Sequence, residues 1–550
     1  MSATHDGSSK PAFTKSPHWR LLFAGLVLCY AVVGLLFVAA GRPNIDEGIF
    51  ISAAGRVFDG EQLYRDFPFS QAPMLPYFYA LAPPILGSAL MGARLFSWLA
   101  GVTGITAILW LTRRVAGDLA AIITLLVTFA TLPAISVGMA VRSQSIGIPL
   151  LLVGVASLAL PRKSGWSFIL APSLLLWATG MRLTNALVFA AVCLWVVWQL
   201  RRKPSQLAGI GALLGAQAIL IGLPILRAPA DAFFHLITAQ LTRSERFGYM
   251  VELPLLGEIN RKLVAYSDLT ADAWLLLLLA IPLVAAGLRS WYRGWRPQLA
   301  RPMGDPKTAI FTLTALGLLA FAPHWLLDNA FLEYLLPLWA LLTPAIGIGM
   351  ATWLHRKGST RRLRFVVIGA LLACALANAY FDRNIWIGSG DSSFQSFHRT
   401  SQKLAKVGGS DCTILTFQTQ LAVESGCRVL PGLDYSLFSY FSDLSTEEAT
   451  AKGVLSLELL RQRVAEYKPD LIVVGRADPS LLLGTETTRV RGQTVRRLRR
   501  SKHPLEFLGE HRGAYRSYAS IQIPSALGRA GGSDPVSLRV FRRKRSLTDD

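Results

Sequence analysis

Charge is scarce in this sequence. Only 16% of its 550 residues are Asp, Glu, Lys or Arg, where a soluble chain carries roughly a quarter. With 52% hydrophobic residues and a mean hydropathy of +0.40, that deficit excludes an ordinary soluble globular protein. Glycine-rich phosphate loops are missing as well. No Walker pattern occurs, which disfavours ATP-driven transport. A nucleotide-dependent enzyme of the usual kind needs a phosphate-cradling loop in a soluble α/β domain. The nearest glycine run, Gly209-Ile210-Gly211 with Gly215, falls inside an apolar stretch, where close helix packing accounts for it. No Cys/His cluster has zinc-site spacing, and the eight histidines are scattered. No internal repeat supports an inverted-repeat transporter.

Long apolar runs are what the chain has in quantity. Runs of about 20 such residues, each enough to cross a bilayer, recur through the first 380 positions. Spans are expected at 21–40, 95–111, 119–137, 146–160, 166–180, 183–200, 207–226, 273–288, 309–325, 332–353 and 365–379, about eleven in all. The fold class is therefore an α-helical polytopic membrane protein. A tail over residues 1–20 precedes a membrane domain at 21–380, and 381–550 reads as a separate α/β domain. The first apolar run is longer than a signal-peptide core and ends in the poor cleavage site Ala39-Ala40-Gly41, so a retained anchor is expected.

Basic residues orient the spans. Arg113-Arg114, Arg162-Lys163, Arg201-Arg202-Lys203, the loop from Arg289 to Lys307 and the loop from Arg356 to Arg364 share one side if the spans alternate. That side is cytoplasmic by the positive-inside rule. Much of the net charge of +22 is thus a topology signal, and no nucleic-acid partner is implied. The other face, facing away from the cytoplasm, collects Asp46, Glu47, Tyr64, Arg65, Asp66, Arg94, Arg142, Arg182, Arg243, Arg246, His324, Glu333 and Tyr334. Ionisable groups gathered at one membrane face suggest a single site. A transporter would hold them near the midplane instead; a flippase or transporter for a lipid-linked glycan is the alternative reading.

In the C-terminal region, 413–417, 428–430 and 470–474 read as strands, 419–424 as a short helix, and 445–466 as a helix opening on Ser-Thr-Glu-Glu. The last sixty or so residues are basic and carry little periodicity. Cys412 and Cys427 flank the first strand–helix unit. An oxidising compartment would permit a bridge, and spacing alone does not settle its geometry.

Asp46 and Glu47 follow the first span and the break Gly41-Arg42-Pro43-Asn44. Taken alone, they are solvated residues capping a helix. Tyr64 and Tyr77 read as interfacial belt residues, His324 as a turn cap, and Asp66 as a partner for Arg65. Together with Gly60, Tyr64-Arg65-Asp66-Phe67, Pro73, Pro76-Tyr77, Arg94 and Glu333-Tyr334-Leu335-Leu336-Pro337, however, the acid pair resembles the GT-C glycosyltransferases. The likeness is to the branch with aminoarabinose transferases, protein mannosyltransferases and rhizobial lipopolysaccharide sugar transferases, over about residues 20–380. The resemblance implies a GT-C-like membrane domain and a polyprenyl-phosphate sugar as donor. It also implies transfer with inversion, outside the cytoplasm, to a glycolipid, polysaccharide or protein of the cell envelope in a bacterial inner membrane. Asp46 is then the expected general base, and Glu47 orients the acceptor or holds a divalent metal ion. The arginines, with Tyr64, Asp66, His324, Glu333 and Tyr334, are expected around the donor and its lipid phosphate.

Overall fold

The computed structural model describes residues 17–131 except 86, 138–161, 165–239, 303–325, 334–356, 360–386, 393–523 apart from isolated positions, and 536–544. Helices α1 (Pro17–Ala40), α2 (Ile45–Phe58), α3 (Met74–Tyr79), α4 (Ala89–Ala116), α5 (Asp118–Ala130), α6 (Ser143–Ser157), α7 (Trp166–Met181), α8 (Ala186–Leu200) and α9 (Pro204–Arg227) make up the N-terminal part. They are followed by α10 (Pro306–Trp325), α11 (Leu336–Arg356) and α12 (Arg361–Trp386).

Six of the described helical segments are long and apolar enough to span a bilayer: Phe23–Ala40, Ala89–Ala116, Leu183–Leu200, Pro204–Arg227, Pro306–His324 and Leu336–His355. The chain is a multi-pass membrane protein. Expected spans at 119–137, 146–160 and 166–180 fall on α5, α6 and α7, whose 13, 15 and 16 residues are short of the roughly 20 a span needs. In α5 and α6 most positions are buried, so neighbouring helices surround much of them, whereas α7 buries about one face. α12 covers the expected span 365–379, but Arg361, Arg362 and Arg364 at its start and Asp382 and Arg383 near its end leave it a short apolar stretch. The span expected at 273–288 lies outside the described residues.

The C-terminal unit opens with α13 (Phe394–Gly408) and contains β1 (Thr413–Thr416), α14 (Thr419–Ser425), β2 (Arg428–Val429), α15 (Leu457–Tyr467) and β3 (Leu471–Gly475). It continues with β4 (Thr485–Val490), β5 (Gln493–Leu498), β6 (Tyr515–Ile523) and β7 (Val536–Arg543). Its main sheet has the order β2-β1-β3-β7-β6. β1 pairs in parallel with both β2 and β3, while β7 is antiparallel to β3 and β6. β3 reads Leu-Ile-Val-Val-Gly and is buried throughout, as a central strand covered on both faces must be. The helical stretch expected at 445–466 divides into Thr446–Ala451 and α15, because Gly453 takes a positive φ of 63°. Its predicted start is a capping box: the Ser445 side chain accepts from the Glu448 amide, and the Glu448 carboxylate accepts from Ser445.

One core runs through α2, α3, the start of α4 and the α/β unit. The membrane helices pack separately around α4, α6, α7, α10 and α11, with a further cluster between α5 and α11. The two units therefore meet across α2. There the backbones touch: a Cβ on Gly48 would lie 1.9 Å from the amide nitrogen of Gln420. Arg56 pairs with Asp434 at the other end of α2, and Ser88 donates to Glu424 at 2.9 Å. Gly48→Ala should destabilise the junction by about 1–3 kcal/mol, read as a lower melting temperature and faster proteolysis between the units. Gly55→Ala in the same helix meets nothing within 4 Å and serves as control. Equal melting temperatures for the two variants would contradict the close approach.

Candidate functional site

The site is built where α1 ends and α2 begins. Asn44 caps α2: its side chain accepts from the Asp46 amide at 2.9 Å, and its own amide donates to Glu47 Oε2 at 2.8 Å. This fixes the two acids in different directions, as adjacent helical residues must be. Glu47 turns inward and is fully buried. Arg94 from α4 meets it with two charge-assisted bonds of 2.7 Å, and the Val141 amide adds one of 3.0 Å. Arg94 also donates to the carbonyls of Val38, Gly41 and Arg42, which end α1. Its guanidinium lies 5.2 Å from the Phe394 ring centroid. One buried ion pair thus ties together α1, α2, α4 and α13.

Asp46 faces the other way and keeps 30% of its side chain exposed. Its Oδ2 lies 3.5 Å from a guanidinium nitrogen of Arg142, the residue that precedes α6. Tyr79, itself hydrogen-bonded to Ser97, donates to the Arg142 carbonyl at 3.2 Å. The next residue, Ser143, accepts from Arg182 at 3.1 Å. Arg182 in turn lies 5.4 Å from the Tyr334 ring centroid, and His324 stacks on Tyr334 at 4.6 Å. A polar file therefore leads from Asp46 through Arg142, Ser143 and Arg182 to Tyr334 and His324. His324 is fully buried, and neither ring nitrogen has a hydrogen-bond partner among the described residues. It stacks on Tyr334, and the turn it is expected to cap lies outside the described residues.

Other expected residues are placed elsewhere. The Tyr64 ring is buried in the core, with a positive φ of 70° and its hydroxyl donating to the Gln71 carbonyl at 2.7 Å. Burial pushes its phenol well above the ordinary range. It is neither a belt residue nor part of the polar file. Arg65 and Asp66 are solvent-facing and bond within their own loop, Asp66 accepting from the Gln62 amide at 2.7 Å and Arg65 reaching the Gln62 side chain. Arg243, Arg246 and Glu333 lie outside the described residues. Tyr79, Ser97 and Ser143 escaped the sequence reading because uncharged polar residues carry no signal above the apolar background.

A metal held by Glu47 does not fit this arrangement. Both of its oxygens are already occupied by a guanidinium and backbone amides. No three His, Cys, Asp or Glu side chains come together among the described residues.

In the α/β unit Cys412 and Cys427 form a disulfide at a Cα separation of 4.8 Å, next to the pairing of β1 with β2.

Fold and site together define a multi-pass membrane protein with a C-terminal α/β domain and a carboxylate–guanidinium file at their junction. No protein-family model matches the chain, and no curated protein does. Among solved structures it is similar to ArnT from Cupriavidus metallidurans bound to undecaprenyl phosphate, at 13% identity and a TM-score of 0.42, over 87% of this chain and 97% of that one. The apo form of that protein gives 15% and 0.41 over the same shares. It is also similar to the archaeal oligosaccharyltransferase AglB from Archaeoglobus fulgidus, in complex with an inhibitory peptide and a dolichol-phosphate, at 10% identity and a TM-score of 0.49 over 96% of this chain and 89% of that one.

Proposed function

We propose that the chain is an inverting glycosyltransferase that moves a sugar from a polyprenyl-phosphate donor to an envelope acceptor outside the cytoplasm of a bacterial cell. The observation that carries this reading is the partly exposed Asp46 lying 3.5 Å from the Arg142 guanidinium, with Arg182 next along the file through Ser143. A carboxylate set beside guanidinium groups offers a base for a hydroxyl and cations for an anionic leaving group. The disulfide supports an oxidising compartment for the α/β unit.

The chemistry follows from these groups. Asp46 accepts the proton of the acceptor hydroxyl as its oxygen attacks the anomeric carbon. The bond from that carbon to the phosphate oxygen breaks, and the lipid phosphate leaves with the electron pair. Arg142 and Arg182 stabilise the charge that develops on it. One displacement inverts the anomeric carbon. Glu47 and Arg94 do not touch the reacting atoms in this scheme; they hold the turn that aims Asp46.

The test is transfer by the full chain in proteoliposomes supplied with labelled polyprenyl-phosphate sugars and envelope extract. Labelled glycan product, lost with Asp46→Asn, is expected. Lipid movement between leaflets without any product from several donors would replace the enzyme by the transporter.

A further inference from the structure

Arg42 has a role that the scheme above leaves open. It stands in the turn between α1 and α2, four positions before Asp46. Its backbone carbonyl is taken by Arg94. Its side chain has no hydrogen bond, ion pair or ring contact among the described residues, and its Nε is buried without a partner. Burial alone lowers the pKa of this guanidinium, with no carboxylate opposing it. An arginine that merely anchors at headgroups keeps its head in water; here part of the head is enclosed. A half-enclosed guanidinium without a counter-charge is unfavourable unless something anionic joins it.

A second orphan lies against the same helical turn. Thr419 donates to the Ile45 carbonyl at 3.3 Å, and Gln420 abuts Gly48. Gln420 is 2% exposed, and its Oε1 is buried with no donor. Its amide nitrogen is engaged by Gln418 at 2.9 Å. One unmatched donor from the membrane unit and one unmatched acceptor from the α/β unit thus flank the first turn of α2.

We infer that Arg42 is an anion-binding residue of this site, holding a phosphate oxygen of a substrate, with Gln420 accepting a hydrogen bond from the same molecule. The phosphate belongs either to the lipid donor or to a soluble or acceptor-borne phosphate group. The inference rests on the proposed function for what the site does, but its test reads binding and needs no turnover.

Binding to the purified full chain in phosphatidylcholine nanodiscs is measured with two probes, undecaprenyl phosphate and phenyl phosphate. Arg42→Gln should weaken at least one of them by about tenfold, the loss of one charge-assisted contact. A loss confined to undecaprenyl phosphate assigns the lipid phosphate, and one confined to phenyl phosphate assigns a soluble or acceptor phosphate. Where Arg42→Gln is not monodisperse, Arg42→Lys is read instead, with severalfold weakening expected because an ammonium lacks the paired donors. Affinities within twofold of wild type for both probes would overturn the inference, whether or not sugar transfer is observed.

Discussion

Asp46→Asn is expected to lower kcat for sugar transfer by roughly 10²–10⁴-fold, the usual contribution of a positioned general base. Asparagine is nearly isosteric and leaves the Asp46 amide on the Asn44 side chain, so the capped turn is retained. The substitution also removes the carboxylate 3.5 Å from Arg142. Arg142 is then freer to meet a phosphate, so KM for the donor should stay level or fall. That split separates lost chemistry from lost folding, which would reduce kcat through the amount of active protein. Asp66→Asn, on a solvent-facing loop, should stay within about twofold of wild type, since such exposed pairs contribute little. Steady-state kinetics in proteoliposomes decide the matter: Asp46→Asn above a tenth of wild-type kcat would remove Asp46 as the base.

Much of this architecture is legible in the sequence, and the limits have physical causes. The long spans can be read because lipid demands continuous apolar length. α5, α6 and α7 look like spans for the same reason, although their helices are shorter. β1, α14, β2 and β3 are within a residue or so of their predicted limits, because buried parallel strands are short aliphatic runs between turn signals. β6 and β7 were unreadable: β6 alternates exposed and partly buried positions with Arg, Ser and Gln interleaved, and its pairing with β7 is a long-range choice. At the site, topology alone brings Asp46, Arg142, Arg182, His324 and Tyr334 to one region. What sequence could not separate is the two adjacent acids, since nothing in Asp-Glu says which one turns inward. Asn44 and Arg94 decide that, through a cap three residues upstream of Glu47 and an ion pair across two helices.

This separation yields the second large effect, on folding rather than on chemistry. Arg94→Met leaves a buried carboxylate without its cation and strips donors from the carbonyls of Val38, Gly41 and Arg42. Removing one partner of a buried pair costs about 3–5 kcal/mol, so a fall in melting temperature on the order of 10 °C is expected, with low yield in membranes. Glu47→Gln should do less harm. Its amide oxygen still accepts from Arg94, while its nitrogen opposes the Asn44 or Val141 amide and costs about 1–3 kcal/mol. Replacing both residues by Met is the informative case. A simple buried pair exchanged for apolar residues is often neutral or stabilising. Here the carbonyls of Val38, Gly41 and Arg42 and the two amides on Glu47 would all lose partners, so the double variant should remain clearly less stable than wild type. Thermal unfolding of wild type, Arg94→Met, Glu47→Met and the double Met variant forms a double-mutant cycle. A double variant as stable as wild type would show that the pair does not hold the turn, and would leave Asp46 without the support that aims it.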